Sequence, residues 1–271
     1  MSFHDPDHKA TLCVVQVVRT ERVSPHVARI TVGGEALRPL PNLGFDHWFR
    51  LFLPRESGET SWDLPTKFDM VGYLLQYKRI PKDVRPILRN YTVREFRPEA
   101  LELDIDFIVH GDPDATDAGV ANRWAQRAQP GETVAFLDQG IGYRFPADTT
   151  EHLIVGDETG MPGILGILRD LPRDARGLAI IEIPHADDAQ AVDAPSGMEV
   201  RWIVRTSDTK PGAAALTIVR GFVPSDPATL MAYIVGEQEL PTSARRHLVS
   251  IGVPKPRILF VGFWRVGKAQ Y

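Results

Sequence analysis

The sequence predicts a small antiparallel β-barrel followed by a doubly wound α/β sheet, and three observations carry that reading. Up to about Gln139 the regular segments alternate apolar and polar residues with period two, the mark of antiparallel strands with one wet face. Beyond "YRFPADTTEH" the strand-like segments become continuous apolar runs, as in strands covered on both faces. Helical patterns lie between those runs, and strands alternating with helices imply a parallel sheet.

In chain order, strands are expected at 11–19, in "VARITV" (27–32), at 48–53, at 89–96, in "LELDIDFIV" (101–109) and at 133–138. "VARITV" sets Ala28, Ile30 and Val32 against Arg29 and Thr31. "LELDIDFIV" is cleaner, with Leu101, Leu103, Ile105, Phe107 and Val109 opposite Glu102, Asp104 and Asp106. Six short strands with turn signals between them suit a barrel. The proline-bearing polar stretch 146–150 marks the boundary, dividing the chain into 1–147 and 148–271. "LIV" (153–155), "LAIIEI" (178–183), "YIV" (233–235) and "ILFVGFW" (258–264) are the buried parallel strands. Ile164, Leu165, Ile167, Leu168 and Leu171 repeat with helical spacing behind Pro162; a second helix spans 242–250, stopped by Gly252 and Pro254.

Composition narrows the classes. The chain has 271 residues, 43% hydrophobic and 24% charged, with a net charge of −4, which argues against nucleic-acid binding by bulk charge. No apolar stretch has membrane-span length, and "MSFHDPDHKA" has neither the basic start nor the apolar core of a secretory signal. The single cysteine, Cys13, sits in "TLCVVQVV" and reads as a buried hydrophobe. A cytoplasmic location is the expectation.

Four stretches carry chemistry. "ILRNYTVREF" (87–96) crowds Arg89, Tyr91, Thr92 and Arg94 together: two planar cationic forks, a flat ring and a hydroxyl. These groups suit a flavin dinucleotide, although by themselves they equally suit a barrel strand with surface arginines. "HGDPDATDAGVANRWAQRAQPGE" places His110 and Gly111 at a strand end, then Gly119 and Asn122 where a short helix begins, with Asn122 as its expected cap. Trp124 is expected to pack that helix onto the barrel. "LIVGDETGMPGI" and "YIVGEQEL" each end a buried strand in polar and glycine residues, where α/β sheets bind ligands. Lastly, Lys67 to Arg97 holds eight Lys/Arg against three Asp/Glu, Asp69 among them, and Arg265 and Lys268 form a smaller basic tail. There is no P-loop, H-E-x-x-H, paired-cysteine zinc site or G-x-S-x-G elbow; His4 and His8 share a polar terminal segment, and no metal site is expected. An enzyme of this kind leaves the chemistry to a cofactor.

Taken together, "PILRNYTVR" (86–94), "DIDFIVHG" (104–111), "GDETGMP" (156–162), "VGE" (235–237) and "GFWRVGKA" (262–269) resemble the siderophore-interacting proteins, over about Val14 to Ala269. These are flavin-dependent ferric-siderophore reductases of the ferredoxin-reductase-like superfamily. The resemblance implies an FAD-binding Greek-key barrel, then a nicotinamide-nucleotide domain. It implies that Tyr91 packs on the isoalloxazine, Thr92 reaches its polar edge near N5, and Arg89 holds the pyrophosphate with Arg94 assisting. Asp106, His110, Gly119, Ala121 and Asn122 would hold the remainder of the FAD, and Asp157, Glu158, Thr159, Gly236 and Glu237 the NADPH or NADH. The phosphate loop reads "GVAN" where the family has G-P-A-S, and "DETGMP" replaces the more usual D-E-T-A-L-P.

The implied reaction passes a hydride from NAD(P)H to flavin N5 and single electrons from reduced FAD to Fe(III) in a siderophore, releasing Fe(II). Tyr91 and Thr92 stand at the reacting ring. Lys78, Arg79, Arg265 and Lys268 are the expected dock for an anionic ferric chelate, and a monomer is expected. The alternatives are a general NAD(P)H:flavin or electron-transfer reductase and a non-catalytic siderophore-binding protein.

Overall fold

The computed structural model describes residues 8–56, 59–64, 70–115 and 118–268, the side chains of 70–74 excepted. His4, Lys67, Asp69 and Ala269 lie outside the described residues.

Within them, the first half forms β1 (Leu12–Ser24), β2 (Val27–Gly33), β3 (Trp48–Leu53), helix α1 (Met70–Arg79), β4 (Ile87–Thr92), β5 (Glu95–Arg97), β6 (Glu102–Ile108), helix α2 (Val120–Arg127) and β7 (Thr133–Asp138). The seven strands pair antiparallel in the order β4-β3-β7-β1-β2-β6-β5. The two edges, β4 and β5, are separated in the chain by Val93 and Arg94 alone, so they must meet and the sheet closes into a barrel. Val93 N–H donates to His47 O (2.7 Å) and Arg94 N–H to Asp104 O (2.9 Å) across the join. The single strand expected over 89–96 is therefore two strands on opposite edges. The break is imposed by closure and has no local glycine or proline to announce it.

The apolar set of β6 faces inward as predicted: Leu103, Ile105, Phe107 and Val109 are fully buried. The face expected to be wet is not. Asp104 and Asp106 are buried as well, because Arg97 and Arg29 fold over them in bidentate pairs. Cys13 is buried in the barrel core, and burial, then the nearby Asp138, push its thiol up to about 12.

The second half holds β8 (Glu151–Gly156), α3 (Met161–Asp170), β9 (Arg176–Ile183), β10 (Gly197–Val204), α4 (Ala213–Gly221), β11 (Leu230–Glu237), α5 (Glu239–Ser250) and β12 (Ile258–Trp264). Its strands are all parallel, ordered β10-β9-β8-β11-β12. Every residue of β11 is buried, as the continuous apolar run requires. One face packs against α4 and α5; the other packs against α3, Tyr143 and the barrel residues Val27 and Phe45. α1, β10 and α4 were not anticipated. Among the described residues no helix is long and apolar enough to cross a membrane.

The barrel and the sheet interlock at the turn before β3. Gly44 and Phe45 both have left-handed backbone (φ 66° and 49°), and Phe45 N–H donates to the Asp170 carboxylate at the end of α3. Position 166 must be glycine here, since a Cβ would lie 2.1 Å from Phe45 O. At a second contact, Asp188 accepts from the Ser24 hydroxyl (2.7 Å) and the His26 N–H (2.9 Å).

Candidate functional site: a cofactor platform at the barrel–sheet junction

β4 lies beside β3 with Leu51 opposite Arg89, Phe49 opposite Tyr91 and Trp48 opposite Thr92. Period two puts Arg89 and Tyr91 on one face of the strand. The half-buried Tyr91 ring packs on Phe107 (centroids 4.2 Å apart), and desolvation pushes its phenol pKa upward, so it is a neutral flat surface. Phe107 in turn contacts Trp124 (5.4 Å), whose indole N–H donates to Glu132 (2.9 Å). Trp124 thus packs α2 onto the barrel as the sequence suggested.

The two arginines differ. Arg89 donates to the neighbouring Leu88 O (2.7 Å) and has no carboxylate partner among the described residues. Arg94 has its Nε 3.5 Å from Asp106, close to Arg29 and Arg169, and Arg169 donates to the Arg94 carbonyl (3.3 Å). Arg89 is therefore the guanidinium available to an external anion, whereas Arg94 is built into the barrel–sheet contact. Asp106, expected among the cofactor contacts, spends both oxygens on Arg29 (2.7 and 2.9 Å) and acts through the arginines it positions.

α2 starts at an exposed Gly119 with no side-chain cap, and no atom lies within 4 Å of where a Gly119 Cβ would be. Asn122 does not cap it. It is buried inside the first turn, where its Oδ1 accepts from His110 N–H (3.0 Å) and its Nδ2 donates to His110 O (2.9 Å). The amide ties α2 to the end of β6, leaving the first-turn N–H groups of Val120, Ala121 and Asn122 without helical acceptors. His110 is exposed, and Gly111 is left-handed (φ 62°) with open space beside it. An unneutralised arginine, a desolvated aromatic face and free N–H donors beside open space are a donor set that fits a flavin dinucleotide. A cavity of about 650 Å³ between α2 and the chain after β3 is lined by Arg55, Trp62, Arg123 and Trp124, among others, but by none of Arg89, Tyr91 and Thr92.

Thr92, at the end of β4, meets the second half of the molecule. A Cβ on Gly163 of α3 would be 3.8 Å from the Thr92 methyl, 3.2 Å from the Tyr233 hydroxyl and 3.5 Å from Asp46 Cβ. Four segments converge there, and sequence reading found only Thr92. Asp46 is buried; its Oδ1 accepts from the N–H groups of Gly142 (3.1 Å) and Tyr143 (2.8 Å), while Oδ2 has no partner. Burial pushes its carboxyl up to about 6, against the opposing backbone hydrogen bonds. Next to it, His47 bonds the buried Asp138 (2.7 Å), and Tyr143 bonds His152 (2.6 Å). Only a polar pair before an apolar strand, "DHWFRLFL", hints at this in the sequence.

At the carboxyl ends of the parallel strands, the expected nucleotide residues do gather. Asp157 is fully buried: its Oδ1 accepts from Thr159 N–H (2.9 Å) and Oδ2 from Glu237 N–H (2.7 Å) and Trp264 Nε1 (2.9 Å). It fastens the ends of β8, β11 and β12 together. Burial, then Glu158, raise its pKa to about 6. Gly236 is left-handed (φ 122°), and a Cβ there would lie 2.7 Å from the Asp157 carboxyl. Glu158 is paired with Arg205 (2.6 Å), and Glu237 accepts from Glu239 N–H (2.7 Å) and Val266 N–H (3.3 Å). These acids are committed to the chain itself, so they shape the ledge while Thr159 stays half-exposed.

Lys78, Arg79, Arg265 and Lys268 are all exposed. Arg265 and Lys268 face each other across an antiparallel bridge; no hydrogen bond or ion pair joins them to Lys78 or Arg79 among the described residues. No group of three or more His, Cys, Asp or Glu side chains there is arranged to hold a metal ion.

Comparison with known proteins agrees with this architecture. Residues 16–141 match the siderophore-interacting FAD-binding domain and residues 149–267 the siderophore-interacting protein domain. The ferric vibriobactin reductase ViuB of Vibrio cholerae is 28% identical, covering 95% of this chain and 90% of its own. The NADPH-dependent ferric-chelate reductase of Escherichia coli is 27% identical, over 92% and 91%. Among solved structures, the siderophore-interacting protein SipS from Aeromonas hydrophila superimposes with a TM-score of 0.73 at 28% identity, covering 95% of this chain and 100% of that one. A ferredoxin reductase of carbazole 1,9a-dioxygenase shares the fold (TM-score 0.65, 14% identity, 96% and 71% covered). With a barrel built for FAD and a parallel sheet docked against it, the chain belongs to the siderophore-interacting protein family.

Proposed function

We propose that this protein is a ferric-siderophore reductase that passes electrons from NAD(P)H through FAD to Fe(III) held in a siderophore, so that iron leaves as Fe(II). The observation that carries the reading is the nearness of Thr92 of the barrel to Gly163 of α3. An added Cβ on Gly163 would lie 3.8 Å from the Thr92 methyl, so that the flavin platform stands beside the helix that follows the nucleotide turn. The names of the Vibrio cholerae and Escherichia coli relatives support the same substrate class.

In this reading residues 1–147 bind FAD and 148–271 bind the nicotinamide nucleotide. Tyr91 supports the flavin ring, Thr92 offers its hydroxyl at the ring edge, and Arg89 neutralises phosphate. Arg94 and Asp106 hold β5 and β6 in place behind them. His110, Gly119, Ala121 and Asn122 form the second anchor, through backbone N–H groups that Asn122 aligns. Bound FAD supplies the conversion between a two-electron donor and one-electron ferric acceptors. Asp157, Glu158, Thr159, Gly236 and Glu237 shape the nucleotide ledge. Lys78, Arg79, Arg265 and Lys268 attract an anionic chelate, and the protein acts as a cytoplasmic monomer.

The test is an absorption spectrum of the purified protein, then anaerobic addition of NADH or NADPH, then of a ferric chelate. The expected result is a flavin spectrum that bleaches and is restored by chelate with saturation. Restoration without saturation by chelate identifies a general flavin reductase. A flavin that does not bleach identifies a binding protein, and failure to bind flavin overturns the reading.

A further inference from the structure

β12 changes register before it ends. Gly236 of β11 faces Gly262, but Glu237 faces Trp264, which leaves Phe263 over. An extra residue of this kind re-aims the side chains beyond it. Phe263 packs against the apolar cluster that includes α3. Trp264 donates its indole N–H to Asp157 (2.9 Å), and its carbonyl accepts from the Gln238 N–H (2.9 Å).

The residues that follow form a turn fastened to the same strand ends. Lys268 N–H donates to Arg265 O (3.1 Å), and Gly267 takes left-handed backbone (φ 73°). Val266 N–H donates to the Glu237 carboxylate (3.3 Å), but the Val266 side chain is exposed. The turn is therefore held by hydrogen bonds and not by apolar packing. Both acceptors, Asp157 and Glu237, are buried, where such bonds are stronger than in water. Arg265 and Lys268 stand exposed on the turn, with no carboxylate partner among the described residues.

We propose that Trp264 is a positioning residue for the ferric substrate: its bond to Asp157 pins the turn 265–268 and so aims Arg265 and Lys268 together at a negatively charged chelate. This rests on reading those two cations as part of the chelate dock. On a loose turn the same side chains would attract an anion without fixing its approach. Pinned, they discriminate between chelates by charge.

The experiment uses FAD-loaded protein and two probes, a negatively charged ferric tris-catecholate and an uncharged ferric tris-hydroxamate. The quantity read is the ratio of their kcat/KM values, in which general effects on the enzyme cancel. Trp264→Phe keeps a ring and removes the N–H; it is compared with the pair Arg265→Ala and Lys268→Ala, and with all three changes together. Gly267→Val loosens the turn from the solvent side, since a branched residue resists left-handed backbone and no atom lies within 4 Å of its Cβ position. FAD content serves as the folding control.

Trp264→Phe and Gly267→Val should each lower the ratio about fivefold at low salt, and neither should add to the alanine pair. Trypsin, cutting after Arg265, should act faster on both variants than on the wild type. A ratio unmoved in both variants overturns the inference, and so does cleavage no faster than in the wild type. A further fall when Trp264→Phe is added to the alanine pair overturns it too, because Trp264 would then act by another route. If the alanine pair alone leaves the ratio unmoved, the dock lies elsewhere and the inference falls with it, while continued reduction of either chelate keeps the reductase reading.

Discussion

The side-chain amide of Asn122 and the backbone of His110 form a closed pair of hydrogen bonds, 3.0 and 2.9 Å, that joins the start of α2 to the end of β6. Where the G-P-A-S pattern would place a serine, this chain carries a brace. Asn122→Ala should therefore cost about 1–3 kcal/mol of stability, since it strands both His110 backbone groups. FAD affinity should fall with it. Thermal unfolding of the apo-protein, followed by FAD titration, measures the two effects separately; an unchanged melting temperature would refute the bracing role.

Arg89 and Arg94 should separate cleanly. Arg89 has no carboxylate partner among the described residues, so Arg89→Ala should weaken FAD binding by about 10- to 100-fold, the worth of a charge-assisted hydrogen bond. The melting temperature of the apo-protein should hardly move. Arg94 lies against Asp106 and Arg169, so Arg94→Ala should lower apo-protein stability and affect FAD less. The reverse pattern in fluorescence-monitored FAD binding and thermal scans would exchange their roles.

Asp46 makes stability depend on pH in a stated direction. Its carboxyl is raised to about 6 from 3.8, so the folded state holds the proton more tightly than the unfolded one. Its contribution is fully present below about pH 4 and is lost as pH rises through about 6. Asp46→Asn keeps an oxygen for Gly142 and Tyr143 but removes the buried charge. The variant should be more stable than wild type at pH 8, by up to about 3 kcal/mol, with the difference vanishing near pH 4. Denaturant melts at the two pH values test this; equal differences at both would refute it.

For the ferric substrate, replacing Lys78, Arg79, Arg265 and Lys268 with alanine should raise the apparent KM for an anionic chelate while leaving FAD content unchanged, all four being exposed. The effect should shrink as ionic strength rises, because exposed charges are screened. Steady-state kinetics at two salt concentrations checks it, and an unchanged KM removes these residues from the dock.

How much of this was legible in the sequence follows from what each feature depends on. β6 could be read because its inward apolar set keeps period two, and β11 because a strand covered on both faces by apolar neighbours reads as a continuous apolar run. β10 escaped notice because it is an edge strand whose Glu199 and Arg201 pair in solvent, which breaks its apolar run. The burial of Asp104 and Asp106 could not be read, since the arginines that cover them come from other strands. Asp46 was invisible for the same reason: its donors are the backbone N–H groups of Gly142 and Tyr143, far along the chain, and no local pattern announces a buried acid. Asp157, Glu158, Thr159, Gly236 and Glu237 come together as a hydrogen-bonded clasp centred on Asp157, whose carboxylate turns inward to backbone and indole N–H groups, while Glu158 is taken by Arg205.

The two-residue link of Val93 and Arg94 has a consequence for assembly. β4 and β5 are neighbours in the chain yet stand at opposite ends of the order of pairing, so the ring is complete only when the six ladders between them have formed. Tyr91 and Thr92 sit one step from that seam. Until those six ladders are in place the platform is incomplete, so flavin uptake during refolding should lag behind secondary structure and report barrel closure. Bound flavin would then act as a clasp on a ring, resisting reopening at the one place where the ring is joined.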